Sequence, residues 1–329
     1  MPGVASQVGP PQHEQWTYQG SAFLARPPAA LGHFLALSDR KGKVHFLDPN
    51  TGKSMASIKA KGAIRHDLVC DTARLFVVTE HTGRPLQAFR LDGGKQIWYR
   101  KFSYPPERPI MAGDELWLPV GDTIYALNPE TGDPLRTVWA GDDLWYTPVR
   151  LGDGWLLWGR HGVLVALGPD GTRQWSAELN ATCFEPPVVS GDTLWVSSST
   201  GVLFCVVDRG EVILEQTLDS TALFGVRLSP GRVYAAAVSG HLWAIDPLDG
   251  SILWETSLEA PLSGPPVVHE DWLAVARLDG RLDLLDAATG APVESLNYSS
   301  IIPFAPVWAF GRLYVVDSNR RVHALGAQP

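Results

Sequence analysis

The sequence predicts an all-β protein: an eight-bladed β-propeller whose blades are four-stranded antiparallel sheets. Three observations predict it. A pattern recurs about every forty residues, each copy contains four short apolar segments, and each copy carries a glycine turn at the same place. The turn glycines follow one another at intervals of 38 to 42 residues, at Gly52, Gly94, Gly132, Gly171, Gly210, Gly250 and Gly290.

The repeated turn has the composition of a hairpin. In residues 48–52, the Asp48 carboxylate can accept hydrogen bonds from the backbone ahead, Pro49 presets φ, and Gly52 can adopt a left-handed conformation. Alternating apolar stretches flank the turn, and each repeat holds two earlier strands, as in residues 187–189 and 193–197. Four short strands per repeat are typical of one propeller blade, and we call them A to D from the axis outward.

The number of blades follows from the starts of the A strands. Two starts without proline fall near Asp67 and Gly225, and the other six are marked by Pro28, Pro109, Pro148, Pro187, Pro266 and Pro306. The eighth copy stops after three strands, whereas residues 14–18 resemble the D strands at 95–99 and 252–255. We therefore expect the N-terminal strand to complete the last blade and close the ring, which removes two open sheet edges. The predicted propeller domain covers residues 13–326, after a flexible tail at 1–12.

Composition excludes several classes of protein. The net charge of −8 argues against general nucleic-acid binding, and three cysteines without a CxxC motif argue against a disulfide framework or a structural zinc site. No apolar run is long enough to cross a membrane, so we expect no direct membrane insertion. The first fifteen residues lack the pattern of a signal peptide. The sequence as it stands therefore predicts a cytoplasmic protein, or a periplasmic or envelope protein if a leader has been removed. We expect a monomer.

The thirteen tryptophans call for an explanation, and the repeat supplies one. Trp16, Trp98, Trp175 and Trp254 each stand at one place in the repeat, on or near the predicted D strand. A large flat side chain at a repeated position can fill the gap between neighbouring blades. We therefore predict a structural role for these four residues.

The pattern of an apolar strand ending in Ala-x-Asp, a turn glycine and then tryptophan resembles the repeat of the PQQ-like β-propellers. Residues 244–254 (AIDPLDGSILW) carry the best copy, and weaker copies cover nearly the whole chain. Size and blade count resemble the BamB-like eight-bladed branch, which implies a scaffold for outer-membrane protein assembly. A second branch, the quinoprotein dehydrogenases, binds pyrroloquinoline quinone and calcium and has adjacent cysteines that this sequence lacks. A third branch comprises sensor propellers.

Function is expected at one end of the ring. In an up-and-down blade the B–C and D–A loops share one end, which we call the loop rim, and the uniform tight turns share the other. The loop rim gathers basic and aromatic residues, and a ligand is expected there. The candidate binding residues are Arg40, Arg65, His66, His81, Arg84, Arg108, Trp145, Tyr146, Arg160, His161, Glu185, His241 and Arg320.

No catalytic or metal-binding motif is present in the sequence, so we predict no enzymatic activity, no metal site and no bound cofactor. The leading hypothesis is a scaffold whose loop rim binds a protein or an extended peptide. A second hypothesis is a sensor that binds a small ligand or pyrroloquinoline quinone at the mouth of the ring. A third is a lyase or hydrolase that uses histidines and carboxylates of the rim.

Overall fold

Eight four-stranded antiparallel sheets form the protein in a computed structural model, which describes residues 9–139, 146–159, 161–269 and 271–327. The predicted fold class is confirmed, including the strand that closes the ring. The N-terminal strand β1 (His13–Gln19) lies at the edge of the sheet formed by the last three strands of the chain. Residues 1–8, the first part of the predicted tail, lie outside the described residues.

The blades in the first half of the chain follow one another in order. Blade 1 consists of β2 (Ala29–Leu31), β3 (Phe34–Ser38), β4 (Lys43–Leu47) and β5 (Ser54–Lys59). Blade 2 consists of β6 (Val69–Cys70), β7 (Arg74–Val78), β8 (Leu86–Arg90) and β9 (Gln96–Arg100). Blade 3 consists of β10 (Ile110–Ala112), β11 (Glu115–Val120), β12 (Thr123–Leu127) and β13 (Pro134–Trp139). Blade 4 consists of β14 (Val149–Leu151), β15 (Gly154–Trp158), β16 (Val163–Leu167) and β17 (Arg173–Glu178).

The second half of the chain repeats this order until the last blade. Blade 5 consists of β18 (Val188–Ser190), β19 (Thr193–Ser197), β20 (Val202–Val207) and β21 (Val212–Thr217). Blade 6 consists of β22 (Leu223–Ser229), β23 (Arg232–Ala237), β24 (His241–Ile245) and β25 (Ile252–Ser257). Blade 7 consists of β26 (Val267–Val268), β27 (Trp272–Ala276), β28 (Arg281–Asp286) and β29 (Pro292–Asn297). Blade 8 consists of β30 (Val307–Ala309), β31 (Arg312–Val316), β32 (Arg321–Gly326) and β1.

The core is divided into eight hydrophobic clusters, one between each pair of neighbouring blades. The cluster that joins blade 8 to blade 1 packs Tyr314 and Val322 against Leu35 and Leu47, with Trp16 at its edge. The B and C strands supply most of the fully buried residues, because they lie in the middle of each sheet and are covered on both faces. The chain ends are therefore joined by both strand pairing and core packing.

The four repeated tryptophans lie between blades, each against the C–D turn of the next blade. The indole Nε1 of Trp16 donates to the Pro49 carbonyl at 3.0 Å, and that of Trp98 donates to the Pro129 carbonyl at 3.0 Å. The Trp254 indole donates to the Ala287 carbonyl at 3.2 Å. Trp175 differs, since its indole donates to the Asp208 carboxylate at 3.0 Å instead of to a carbonyl.

The turn aspartates have the geometry that their repetition predicts. The Asp48 Oδ1 accepts hydrogen bonds from the backbone of Asn50 at 2.7 Å and of Thr51 at 3.1 Å. Gly52 completes this turn at a φ of 69°, where a side chain would be strained. The aspartates shape the hairpins that hold the tryptophans, which explains their recurrence without a catalytic role.

Candidate functional site

The D–A loops bring three of the predicted binding residues together at the mouth of the central channel. Arg65 and His66 come from the loop between β5 and β6, and Arg108 comes from the loop between β9 and β10. Each lies just before an innermost strand, so the ring carries all three toward its axis. The sequence placed them on the loop rim, and the structure adds that they are close neighbours.

Three further charged residues complete this group, which we call the mouth cluster: Arg26, Asp67 and Glu107, with Arg65, His66 and Arg108. The Arg65 guanidinium lies 3.7 Å from Glu107, and the Arg108 guanidinium lies 3.8 Å from Asp67. The Arg26 guanidinium donates to the Arg65 carbonyl. These ion pairs are longer than hydrogen bonds, so the guanidinium groups retain donors for a further anion.

Sequence reasoning missed Arg26 and Glu107 as binding candidates, although a signal was available. Residues 26–28 read Arg-Pro-Pro and residues 107–109 read Glu-Arg-Pro, so both stand shortly before a proline that opens an A strand. An A strand borders the channel, and the residues that lead into it must therefore lie at the channel mouth.

The imidazole of His66 is held uncharged in the mouth cluster. Burial and, to a smaller extent, the nearby guanidinium groups of Arg65, Arg26 and Arg108 together lower its pKa to about 4. Its Nε2 lies 3.5 Å from Glu107 and has no hydrogen-bond partner within the described part of the chain. Burial also raises the pKa of Glu107, although Arg65 and Arg26 act in the opposite direction.

A second pair of charged residues comes from the loop before β18 and from β22: Glu185 and Arg227. Burial raises the pKa of Glu185, and Arg227 on β22 partly opposes that rise. The Asp67 carboxylate raises the pKa of Glu185 further. Of this second pair, sequence reasoning identified Glu185 and missed Arg227.

The channel below the mouth cluster holds a cavity of about 520 Å³. It is lined by residues 27–31, 67–70, Arg108 and Val307, which come from the A strands and adjoining loops of blades 1, 2, 3 and 8. A second cavity, of about 420 Å³, lies farther out on the rim. Arg65, His81 and Tyr104 line that cavity together with the prolines at 105 and 106. The rim is therefore concave at two places, with Arg108 lining the first cavity and Arg65 lining the second.

Several predicted rim residues are engaged in local contacts away from the channel. The Arg84 guanidinium lies 4.1 Å above the Tyr99 ring, and the Arg320 guanidinium lies 5.9 Å from the Phe23 ring. His241 Nδ1 lies 3.0 Å from the Asp219 carboxylate. These side chains border the rim, and the structure does not bring them into the mouth cluster.

The remaining predicted residues are dispersed around the ring. The Tyr146 ring stacks on Trp158 at a centroid distance of 4.1 Å and packs against the core between blades 4 and 5. His81 Nδ1 accepts a hydrogen bond from the Gly83 backbone at 3.1 Å. Arg40 and His161 are exposed on B–C loops. Trp145 and Arg160 lie outside the described residues.

The described residues contain no group of three or more histidine, cysteine, aspartate or glutamate side chains arranged to hold a metal ion. They form no helix long and apolar enough to cross a membrane. The mouth cluster combines three half-buried charges, Arg26, Arg65 and Glu107, with two cavities that its residues line.

The fold and its repeat define the class of protein: an eight-bladed propeller of PQQ-like repeats. A family model described as outer membrane protein assembly factor BamB matches residues 4–143, 160–261 and 244–328. The chain belongs to this family, as its repeat predicted.

Curated relatives carry the same description. BamB of Burkholderia pseudomallei is 24% identical over 213 residues, which cover 58% of this chain and 55% of that protein. BamB of Moranella endobia is 24% identical over 313 residues, which cover 73% of this chain and 80% of that protein. The chain spans about half the length of three of the four curated relatives it matches.

Solved structures show how widely the fold is shared. BamB of Moraxella catarrhalis superposes with a TM-score of 0.78 at 18% identity, covering 95% of this chain and 99% of that one. The quinohemoprotein alcohol dehydrogenase of Comamonas testosteroni superposes with a TM-score of 0.75 at 14% identity, covering 96% and 77%. An assembly factor and an enzyme thus share this scaffold, and function has to be argued from the site.

Proposed function

We propose that this protein is a non-enzymatic scaffold that binds a polypeptide through its loop rim, in outer-membrane protein assembly. The observation that carries the proposal is the mouth cluster of a chain that belongs to the BamB family. Its guanidinium groups form ion pairs of 3.7 and 3.8 Å, which leave donors free for the carboxylates and carbonyls of a bound chain.

A rigid ring suits this role for a physical reason. The mouth cluster is held by D–A loops that are anchored at both ends in sheets, so little conformational entropy is lost when a partner binds. In the proposed role the protein works as a monomer in the cell envelope. Its partner is a protein, and the net charge of −8 disfavours nucleic acid.

A complementation experiment in the bacterium that carries the protein tests the proposal. Deletion of the gene should lower the amounts of outer-membrane proteins, and the wild-type gene should restore them. The double variant Arg65→Gln/Arg108→Gln should fail to restore them while folding normally, because it removes the free donors of the mouth cluster.

The matched control is Arg173→Gln, which neutralises an exposed arginine of blade 4 far from the mouth. It should restore the outer-membrane proteins fully. Unchanged outer-membrane proteins after the deletion would contradict the assembly role, and full activity of the double variant would contradict the use of the mouth cluster.

A second candidate is a sensor for a small anion, and the three arginines of the mouth cluster favour it. A tricarboxylate such as pyrroloquinoline quinone could pair with Arg26, Arg65 and Arg108 above the 520 Å³ cavity. Titration with the quinone, followed by tryptophan fluorescence, tests this candidate. Saturable quenching that Arg65→Gln/Arg108→Gln abolishes would support it, and the absence of quenching would exclude it.

A further inference from the structure

The outer wall of the ring, formed by the D strands and the residues next to them, has its charges separated by sector. In blades 1 and 2, residues 53–59 and 95–101 contain five basic side chains and no acidic one: Lys53, Lys59, Lys95, Arg100 and Lys101. In blades 5 to 7, residues 211–217, 252–257 and 292–297 contain four acidic side chains and no basic one: Glu211, Glu215, Glu255 and Glu294. A basic sector in a chain of net charge −8 attracts acidic partners that the rest of the surface repels.

Every D strand also carries a β-bulge at the same position. The strand pairings of all eight blades skip one D-strand residue beside the C strand, which leaves that residue unpaired. In blades 1 and 2 the extra residues are Met55, which is 61% exposed, and Ile97, which is 40% exposed. The bulges therefore place apolar side chains among the lysines of the basic sector, with Tyr99 also 45% exposed.

A groove of about 720 Å³ lies in this sector, between blades 2 and 3. Phe102 and Tyr125 line it and contact each other edge to face at 5.4 Å between ring centroids. Arg100 fixes one side, because its Nε donates to the Gly132 carbonyl of blade 3 at 2.7 Å. The Arg100 guanidinium also pairs with the Asp133 carboxylate, which lines the groove, whereas Lys101 lines it with no ion-pair partner among the residues that the structure describes. An apolar floor next to an unpaired cation can accept an apolar side chain and a neighbouring carboxylate together.

We propose that the outer wall of blades 1 to 3 docks an acidic polypeptide, with one of its large apolar side chains in the groove between blades 2 and 3. Lys95 and Lys101 pair with carboxylates of that polypeptide, and Met55 and Ile97 cover its apolar residues. The bulges disfavour the addition of a continuous strand to the D-strand edge, so recognition depends on side chains. This surface lies on the circumference of the ring, and its groove adjoins the outer rim cavity, with which it shares residues 101–103.

The probe for this surface is a short fluorescein-labelled peptide that alternates glutamate with leucine and phenylalanine. Its matched control replaces every glutamate with lysine. Fluorescence anisotropy at low ionic strength should show saturable binding of the acidic peptide alone, and added salt should weaken it. Equal binding of the two peptides, or no binding of the acidic one, would overturn the proposal.

Four variants localise the binding. Lys95→Gln/Lys101→Gln should weaken it roughly tenfold, and Ser103→Trp, which fills the groove from an exposed position, should weaken it by a similar factor. The control Glu255→Gln/Glu294→Gln neutralises the opposite, acidic wall and should leave the affinity unchanged. The mouth variant Arg65→Gln/Arg108→Gln should also leave it unchanged, which separates this surface from the loop rim. Unaltered affinity in both Lys95→Gln/Lys101→Gln and Ser103→Trp would overturn the assignment.

Sedimentation equilibrium distinguishes another protein from a second copy of the chain. A monomer at all concentrations supports an acidic partner of a different kind. Self-association that disappears both in Lys95→Gln/Lys101→Gln and in Glu255→Gln/Glu294→Gln would assign the basic wall to the acidic wall of a second copy, and would overturn the proposal.

Discussion

The indole ring of Trp98 lies directly on Gly132 of the next blade, where an added Cβ would come within 2.7 Å of the ring. Gly132 has a φ of 73°, so its position requires glycine for two reasons: backbone conformation and space. The same relationship joins Trp16 to Gly52 and Trp254 to Gly290, with Cβ distances of 2.5 Å in both cases. The glycine of each turn is therefore part of the contact between blades.

Gly132→Ala should destabilise the protein by about 2–4 kcal/mol, because it adds a clash with Trp98 to the strain of a left-handed backbone. Gly113→Ala is the matched control, since Gly113 has a φ of 63° and nothing within 4 Å of an added Cβ. It should cost only the backbone strain, about 1–2 kcal/mol. Urea unfolding measures both, and equal costs would contradict the role of the Trp98 contact.

A shared acceptor at the blade 8–1 and blade 6–7 interfaces predicts a stabilising substitution. Trp16 and Tyr314 both donate to the Pro49 carbonyl, and Trp254 and Tyr234 both donate to the Ala287 carbonyl. At the blade 2–3 interface Phe76 takes the place of the tyrosine, in the same register.

Phe76→Tyr should therefore add a hydrogen bond to the Pro129 carbonyl and stabilise the protein by about 1 kcal/mol. The reverse change, Tyr314→Phe, should destabilise it by a similar amount. Both are measured by urea unfolding. A destabilising Phe76→Tyr would show that the hydroxyl does not reach the carbonyl at this interface.

Ring closure predicts a large effect of removing the N-terminal strand. Deletion of residues 1–19 would expose the edge of β32 and remove Trp16 from the cluster between blades 8 and 1. The thermal melting temperature should fall strongly, and the protein should become prone to aggregation through the open edge. Deletion of residues 1–8 leaves the strand intact and should leave the melting temperature unchanged. An unchanged melting temperature after deletion of residues 1–19 would contradict closure of the ring by β1.

The buried His66 predicts a dependence of stability on pH. Its pKa is about 4 in the folded protein, below the 6.5 of an unperturbed histidine, so the unfolded chain binds the proton more strongly between these values. Stability is fully present above pH 6.5 and falls as the pH decreases toward 4, by up to about 3 kcal/mol from this residue.

The variant His66→Gln isolates this contribution. Burial raises the pKa of Glu107, so this carboxyl changes the stability with pH in the opposite sense over an overlapping pH range. Glu107 is retained in the variant. The difference in the free energy of unfolding between the wild-type protein and the variant should therefore change with pH below 6.5 and be constant above it. Urea unfolding from pH 4 to 8 measures it, and parallel curves would show that the pKa of His66 is not lowered on folding.

Much of the fold could be predicted because each repeat carries its own local signals. The Asp and Gly of residues 48–52 form a turn wherever they occur, and the alternation of the flanking strands sets which face is buried. The closing strand was recognisable because residues 14–18 have the pattern of a D strand. The blade count needed no knowledge of long-range contacts.

The charged site was less predictable. Arg65, His66 and Arg108 were identified as loop residues of one end of the ring, but Arg26, Glu107 and Arg227 were not. Arg84 and His241 have the same residue types as the mouth residues, but they lie at B–C connections instead of D–A loops and pack against Tyr99 and Asp219. Whether a rim residue points to the axis or to a neighbouring strand depends on the path of its loop.

Local patterns in the chain therefore established the repeat, the eight blades and the structural tryptophans, because hairpins and alternating strands are encoded by residues near one another. The mouth cluster and the basic outer wall depended on folding. Residues 26, 65 and 108 are separated by about forty residues each, and only closure of the ring brings them to one axis. Electrostatic interactions fall off with distance, so the lowered pKa of His66 and the charge of the wall exist only once the blades are assembled.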